Sequence, residues 1–267
     1  MKRNDIIYGL VAVVLMCGLT QAALVHQYTF EDGTANDSVG TAHGTLQGGA
    51  TISGGQLLLD GLTAYVSLPG PQIAINTYSA FTLELWSTQS TVDQGYSMTA
   101  ALGGTWDNGW AGKKYVAITT SRGDQVSRAM LTTGDNASAP WTEEVGVNGP
   151  ELNDGKQHQY VLTVGPAECL CSDKLVITYY IDAEFQGLAL LGASQISGLD
   201  TSKALLGQSM YPGDALWAGS INEFNIYNAA LSCAEIQAKY AAGPVPEPAT
   251  IVLLGLGCLA LIRRRKP

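Results

Sequence analysis

Carboxylates, indoles and thiols are the side chains whose spacing along this chain could do chemistry. Glu31, Asp32 and Asp37 fall within seven residues, among Gly and Asn. Adjacent carboxylates repel unless a hard cation neutralises them, and the oxygens of Gly and Asn turns can complete the six to eight that calcium takes, roughly. The cluster is therefore a candidate calcium site; turn and cap duty for the same Asp and Asn side chains is the alternative. Trp106-Asp107-Asn108-Gly109-Trp110 sets two indoles beside a carboxylate and an amide in an expected loop. Indole faces stack on sugar rings while Asp and Asn bond hydroxyls, so Trp106, Asp107, Asn108 and Trp110 form a candidate glycan-binding loop. Indoles that plug the ends of the fold are the competing expectation, for these residues and for Trp141 and Trp217, which turn residues also flank. Trp86, inside an apolar run, is expected in the core.

A hydrolase acting on glycans needs two carboxylates about 5–9 Å apart. The Glu-x-Asp-x-x-Glu run with which laminarinase-like glucanases supply them is absent. Glu84 is alone in its strand, and Glu143-Glu144 points to opposite faces or lies in a loop. Asp182 and Glu184 are the best remaining pair, at a strand end that reads equally as a solvated hairpin turn. No Gly-x-Ser-x-Gly or His-Glu-x-x-His occurs, and His26, His43 and His158 are scattered, so a hydrolase triad or a zinc protease has no foothold. A non-catalytic protein is expected, with a divergent glycoside hydrolase as the alternative.

Of the five cysteines, Cys17 and Cys258 lie in terminal segments, which leaves Cys169, Cys171 and Cys233. Cys169 and Cys171 are too close to pair comfortably with each other, so either one of them bridges Cys233 or all three are free thiols. A zinc site would need a fourth ligand, and no His stands at finger spacing.

Both ends read as addresses. Met1-Lys2-Arg3 and the apolar stretch from Ile6 to Leu19 precede Thr20-Gln21-Ala22, whose small residues suit signal-peptide cleavage. Met16-Cys17-Gly18 superficially matches a lipoprotein site, but Met is too bulky for the position before a modified Cys. At the other end, Pro246-Glu247-Pro248 is followed by the uncharged run Ala249–Ile262 and then Arg263-Arg264-Arg265-Lys266. That run spans about 21 Å as a helix, short of a hydrocarbon core of roughly 30 Å. The basic cluster stays cytoplasmic, so the chain before it lies outside. The block resembles the PEP-CTERM sorting signal of Gram-negative bacteria. The resemblance implies an exosortase-type processing enzyme as partner, membrane contact through the C-terminal helix before processing, and delivery to the cell envelope, surface or extracellular matrix.

The chain of 267 residues has 31 Gly, 14% charged residues and a net charge of −9. Few charges and many Gly argue against helical bundles, and the acidity argues against nucleic acid as a partner. Removing both addresses, residues 1–22 and 245–267, leaves eight basic against 21 acidic residues over 23–244, a net charge of −13.

Something must position the candidate groups, and the repeating short β-rich runs supply it. They fall at Leu24–Phe30, Gln56–Leu59, Ala64–Leu68, Phe81–Trp86, Tyr115–Thr120, Arg128–Thr132, Gln159–Val164, Leu175–Asp182, Ala204–Leu206 and Ser220–Tyr227. Alternation puts Phe81, Leu83 and Leu85 on one face, and Tyr160, Leu162 and Val164 likewise. No Pro/Ser-rich linker divides 23–244, so one domain is expected: all-β, a two-sheet antiparallel sandwich or jelly roll with one short C-terminal helix. Terminal signal and anchor helices complete the chain. The C-terminal helix is expected over about Cys233–Ala241, opened by a Ser232/Glu235 capping box with Leu231 stapled to Ile236, and ended by Gly243-Pro244.

Several of these runs together resemble a laminin-G-like (concanavalin A-like) jelly-roll domain. They are Tyr28-Thr29-Phe30-Glu31-Asp32-Gly33, Asn36–Gly40, His43-Gly44-Thr45-Leu46, Leu59-Asp60-Gly61 with Ala64-Tyr65-Val66, Phe81–Trp86, and the closing Gly219–Ser232. The resemblance is thin between about 90 and 155. It departs at Asn222, where the family usually has Asp, and at Gln157-His158, where it has Trp-His. It implies the fold and a mainly structural calcium to which Glu223 could add a carboxylate, but not a function, because the scaffold hosts lectins, glycosidases, adhesins and spacers alike. A polysaccharide or surface-protein ligand is what a non-catalytic protein of this kind is expected to bind.

Overall fold

The computed structural model describes residues 22–91, 95–167 and 172–245. One sheet contains β1 (Leu24–Tyr28), β3 (Thr51–Ser53), β4 (Gln56–Asp60), β6 (Phe81–Gln89), β11 (Gln157–Ala167), β12 (Ser172–Ile181), β13 (Glu184–Leu190) and β15 (Ala218–Tyr227). Its order is β13-β12-β11-β6-β15-β4-β3, with β1 beside the C-terminal half of β15 and β4 beside its N-terminal half. The second sheet contains β2 (Thr45–Gln47), β5 (Tyr65–Leu68), β7 (Ala100–Thr105), β8 (Gly112–Thr119), β9 (Val126–Leu131), β10 (Val145–Pro150) and β14 (Lys203–Leu206), in the order β10-β9-β8-β7-β14-β5-β2. Every pairing is antiparallel, and the two sheets form a β-sandwich. All ten expected strand runs are strands; β2, β3, β7, β10 and β13 are additional.

Alternation decides what each strand contributes. Phe81, Leu83 and Leu85 of β6, with Tyr160, Leu162 and Val164 of β11, pack into the core between the sheets against Leu102, Val116, Ile118 and Leu131 of the second sheet. Trp217 is fully buried there, its Nε1 donating to Thr120 Oγ1 at 2.8 Å, so this indole does plug the sandwich. The other face of each sheet also carries a small buried cluster. On the second sheet, Ala101, Tyr115, Ala117, Met130 and Leu205 form a separate buried cluster with Met98 and Met210 from flanking loops.

Two α-helices stand among the described residues, the single turn α1 (Gly70–Ile73) and α2 (Cys233–Ala242). On the first sheet, Val161 and Tyr227 pack with Leu231, just before α2, and with Ile236 within it. The capping box is present: Ser232 Oγ accepts from Glu235 N at 3.3 Å, and the Glu235 carboxylate accepts from Ser232 N at 2.8 Å. Trp86 is buried as expected, but on this outer face, stacked on Tyr240 of α2 with ring centroids 5.9 Å apart.

Candidate functional site

A cavity of about 500 Å³ opens on the outer face of the second sheet. Trp110, Trp141, Tyr96 and Tyr211 give it aromatic walls, and Met98 and Met130 of the outer-face cluster lie at its base. Its polar groups are Ser97, Arg122, Glu144 and Asp214.

Each wall is set by local turn chemistry. The connection from β7 to β8 is closed by Trp106 N donating to Ala111 O and Gly109 N to Trp106 O, both at 2.8 Å, with Gly109 at φ +76°. Asn108 Oδ1 accepts from Trp110 N at 3.1 Å and Ala111 N at 3.2 Å, which fixes the base of Trp110. Asn108 Nδ2 donates to Ala137 O at 2.9 Å and ties this loop to the one that carries Trp141. There Asn136 Oδ1 caps Ser138 N and Ala139 N, and Asn136 N donates to Glu143 Oε2 at 2.8 Å. Trp110 and Trp141 lie with centroids 6.1 Å apart and planes tilted by 59°, and Trp141 and Tyr211 lie 6.3 Å apart. Trp110 is 47% and Trp141 51% exposed, unusual for indoles and what a stacking surface requires.

Beneath the walls, Tyr115 OH donates to Glu144 Oε1 and pairs with Tyr211 OH at 2.8 Å, while Arg128 Nε stands 3.6 Å from Glu144 Oε2. Burial pushes the Glu144 carboxyl above its ordinary value despite Tyr115 and Arg128, and burial raises Asp214 as well. Burial, with the Glu144 carboxylate beside it, drives the Tyr115 phenol far up, so it is a donor throughout the physiological range.

The loop expected to bind glycan is thus divided. Trp110 lines the cavity and Asn108 holds the loop. Asp107 is exposed, and Trp106 is half-buried outside the cavity lining with Lys113 Nζ 5.3 Å above its ring. The partner of Trp110 is Trp141, not Trp106. Sequence reading also missed Tyr96, Tyr211, Glu144 and Asp214 as pocket groups; nothing local to them marks the role.

The four residues expected to hold calcium have protein partners of their own. Asp37 accepts from the amides of Gln27 (3.1 Å), Val39 (3.2 Å), Gly40 (2.8 Å) and Ala42 (3.1 Å) and pairs with His26 Nδ1 at 2.7 Å. Burial works against this carboxylate, yet His26 and the amides keep its pKa below the usual value. Asp32 accepts from Thr34 N and Oγ1 at 2.9 and 2.7 Å, and the Glu31 carboxylate lies over Gly55. Glu223, on β15, accepts from Gln27 Nε2 (3.0 Å), Asn225 Nδ2 (2.6 Å) and Val245 N (2.7 Å). Among the described residues, no three His, Cys, Asp or Glu side chains gather where they could hold a metal ion.

Asp182 and Ala183, at φ +50° and +62°, make the turn between β12 and β13, and Asp182 accepts from Gln159 N at 2.9 Å and pairs with His158 Nδ1 at 2.6 Å. This is the hairpin reading of Asp182 and Glu184. Cys233 is a free, exposed thiol at the start of α2. Cys169, Cys171 and the sorting-signal residues Pro246, Glu247, Pro248, Arg263, Arg264 and Arg265 lie outside the described residues, as do the signal and anchor segments.

Comparison with known proteins matches residues 60–237 to the concanavalin A-like lectin/glucanases superfamily and residues 244–266 to the PEP-CTERM protein-sorting motif. No curated protein matches the chain. Among solved structures, domain 4 of AbnA, a GH43 extracellular arabinanase from Geobacillus stearothermophilus, in complex with arabinotriose, superposes with a TM-score of 0.61 at 16% identity, over 81% of this chain and 98% of that one. The binding domain of botulinum neurotoxin serotype D/C superposes with a TM-score of 0.57 at 12% identity, over 82% of this chain and 52% of that one. The type G receptor binding domain gives 0.57 at 13%, over 82% and 51%. At these identities the likeness is one of fold. The sorting motif implies exosortase processing and export to the envelope or surface of a bacterium.

Proposed function

Because the chain belongs to the concanavalin A-like lectin/glucanases superfamily, we propose that it is an exported, non-catalytic surface or matrix protein whose aromatic pocket binds polysaccharide. The observation that carries this reading is the pair Trp110 and Trp141, both about half exposed, 6.1 Å apart, at the mouth of a cavity with carboxylate, hydroxyl and guanidinium groups inside it. Indole faces take the apolar faces of sugar rings, and the polar groups fix orientation. The arabinotriose-bound domain of the arabinanase supports the same use of this architecture. The sorting motif makes a Gram-negative-type envelope the expected setting, with other surface polymers within reach of the pocket.

The test is a glycan array followed by titration calorimetry with Trp110→Ala and Trp141→Ala. Each substitution is expected to weaken oligosaccharide binding by about tenfold or more. Undiminished binding in both variants would place the ligand elsewhere. Steady release of reducing ends from a bound polymer, lost in Glu144→Gln, would overturn the non-catalytic part.

A further inference from the structure

Charge inside the pocket is unequally matched. Arg122 is engaged by Asp124, Nε to Oδ1 at 3.2 Å, and its guanidinium lies 5.7 Å from the Tyr96 ring centroid. Glu144 has Arg128 at 3.6 Å and the Tyr115 hydroxyl. Asp214 has one hydrogen bond to its carboxylate, from Ser209 Oγ at 2.6 Å, and among the described residues no Lys, Arg or His lies within ion-pair distance of it. Among the described residues that line it, the pocket thus has one carboxylate, Asp214, with no cation at ion-pair distance, in a cavity also lined by Trp110, Trp141, Tyr211 and Tyr96. Ring faces are themselves attractive to cations, so carboxylate and walls favour the same kind of group.

We propose that the sugar taken by this pocket carries an ammonium group: a 2-amino-2-deoxyhexose unit of a de-N-acetylated polymer, its –NH₃⁺ on Asp214 and its ring against Trp110 and Trp141. The inference rests on reading the pocket as a glycan site and specifies the class of glycan. An acidic sugar would meet Asp214 and a domain of net charge −13. A neutral sugar would cover the carboxylate without supplying the missing charge, and a covered carboxylate with no counter-charge is costly. That Asp214 is already raised above the ordinary aspartate range by burial is the same imbalance seen from the protein's side.

The test is calorimetry on the full chain with three oligosaccharides of equal length: a glucosamine oligomer, its fully N-acetylated counterpart and a cello-oligosaccharide. A short oligolysine peptide is the fourth probe. The glucosamine oligomer is expected to bind about tenfold tighter than either neutral sugar, and the margin is expected to shrink with added salt. In Asp214→Asn the margin between the glucosamine oligomer and the neutral sugars should fall to about threefold or less. Equal or tighter binding of a neutral sugar overturns this inference and leaves the glycan reading standing. No binding of any oligosaccharide overturns both, and so does binding of oligolysine alone. The comparison on the unaltered protein decides the matter even if Asp214→Asn does not fold.

Discussion

The backbone amide of Val245 donates to the buried Glu223 carboxylate, Oε2, at 2.7 Å. Val245 immediately precedes Pro246 of the sorting motif, so the tail departs from the outer face of the first sheet, where α2 also lies. The aromatic pocket is on the outer face of the other sheet. Glu223→Ala removes the acceptor for Val245 and for the Gln27 side-chain amide, and leaves Asn225 Nδ2 with Glu84 alone. Amide exchange at Val245 is expected to speed up by about tenfold or more, with a stability loss of about 1–3 kcal/mol. Hydrogen exchange read by mass spectrometry checks this, and unchanged protection at Val245 would show that the contact does not hold the tail.

A second carboxylate on that face has a heavier structural role. Glu84, 2% exposed, accepts from Trp86 Nε1 (3.1 Å), Gln159 Nε2 (2.7 Å), Asn225 Nδ2 (3.1 Å) and Tyr227 OH (2.7 Å). A buried carboxylate is tolerable only when hydrogen-bonded, and here four neutral donors do it. Burial and the Glu84 charge push the Tyr227 phenol up, so it stays a donor. Glu84→Ala strips the acceptor from all four donors and loosens the Trp86–Tyr240 stack under α2. A loss of about 3 kcal/mol is expected, equivalent to about 6–12 °C in Tm, read by thermal denaturation. A Tm within a degree or so of wild type would show that water replaces the carboxylate at little cost.

How much of this was legible in the sequence depends on whether the cause is local. The alternation in Phe81–Trp86 shows because one face of that strand meets the core, and the α2 capping box shows because Ser232 and Glu235 satisfy each other across one turn. β7, Ala-Ala-Leu-Gly-Gly-Thr, carries little strand propensity; it is a strand because β8 and β14 pair with it on either side. The pocket follows the same rule. Trp110 announces itself beside Gly109 and Asn108, but Trp141, Tyr211 and Asp214 reach it from loops after other strands. Glu84 looks solitary along the chain because Gln159 comes from β11 and Asn225 and Tyr227 from β15.

His158 should give the fold a measurable pH dependence. Burial alone would lower its pKa, but the Asp182 carboxylate at 2.6 Å and Asp154 at 3.1 Å outweigh it and raise the value. The folded protein therefore holds the imidazolium to higher pH than the unfolded chain does. That contribution is fully present below the unfolded histidine value, about 6.5, and is lost as pH rises through the folded one. Tm is expected to fall as pH rises above about 6.5, and His158→Gln to remove most of that fall. A titration of the His158 ring by NMR with a midpoint at or below the ordinary histidine value would contradict the sign.

The last prediction separates the pocket's support from its walls. Neither Tyr115 nor Gly103 lines the cavity, yet both set it. Tyr115 OH holds Glu144 and Tyr211 OH, and Gly103 lies against the Tyr115 backbone: a Cβ there would stand 2.4 Å from Tyr115 Cβ and 2.8 Å from its Cα. Gly103 and Tyr115 lie in the irregular step between the Leu102–Val116 and Gly104–Lys113 pairs of β7 and β8, so those atoms are held from both sides and cannot swing away as a side-chain tip can. Gly103→Ala is expected to cost about 1–3 kcal/mol of stability and to weaken oligosaccharide binding by displacing β8. Tyr115→Phe keeps the packing and loses only the hydroxyl, so it should cost about 1 kcal/mol in stability. With Glu144 and Tyr211 released, its binding should nonetheless weaken by about three- to tenfold. Thermal melts and calorimetry on the two variants distinguish the effects. If Tyr115→Phe binds like wild type, Glu144 is held by Arg128 alone and the hydroxyl chain plays no part in shaping the site.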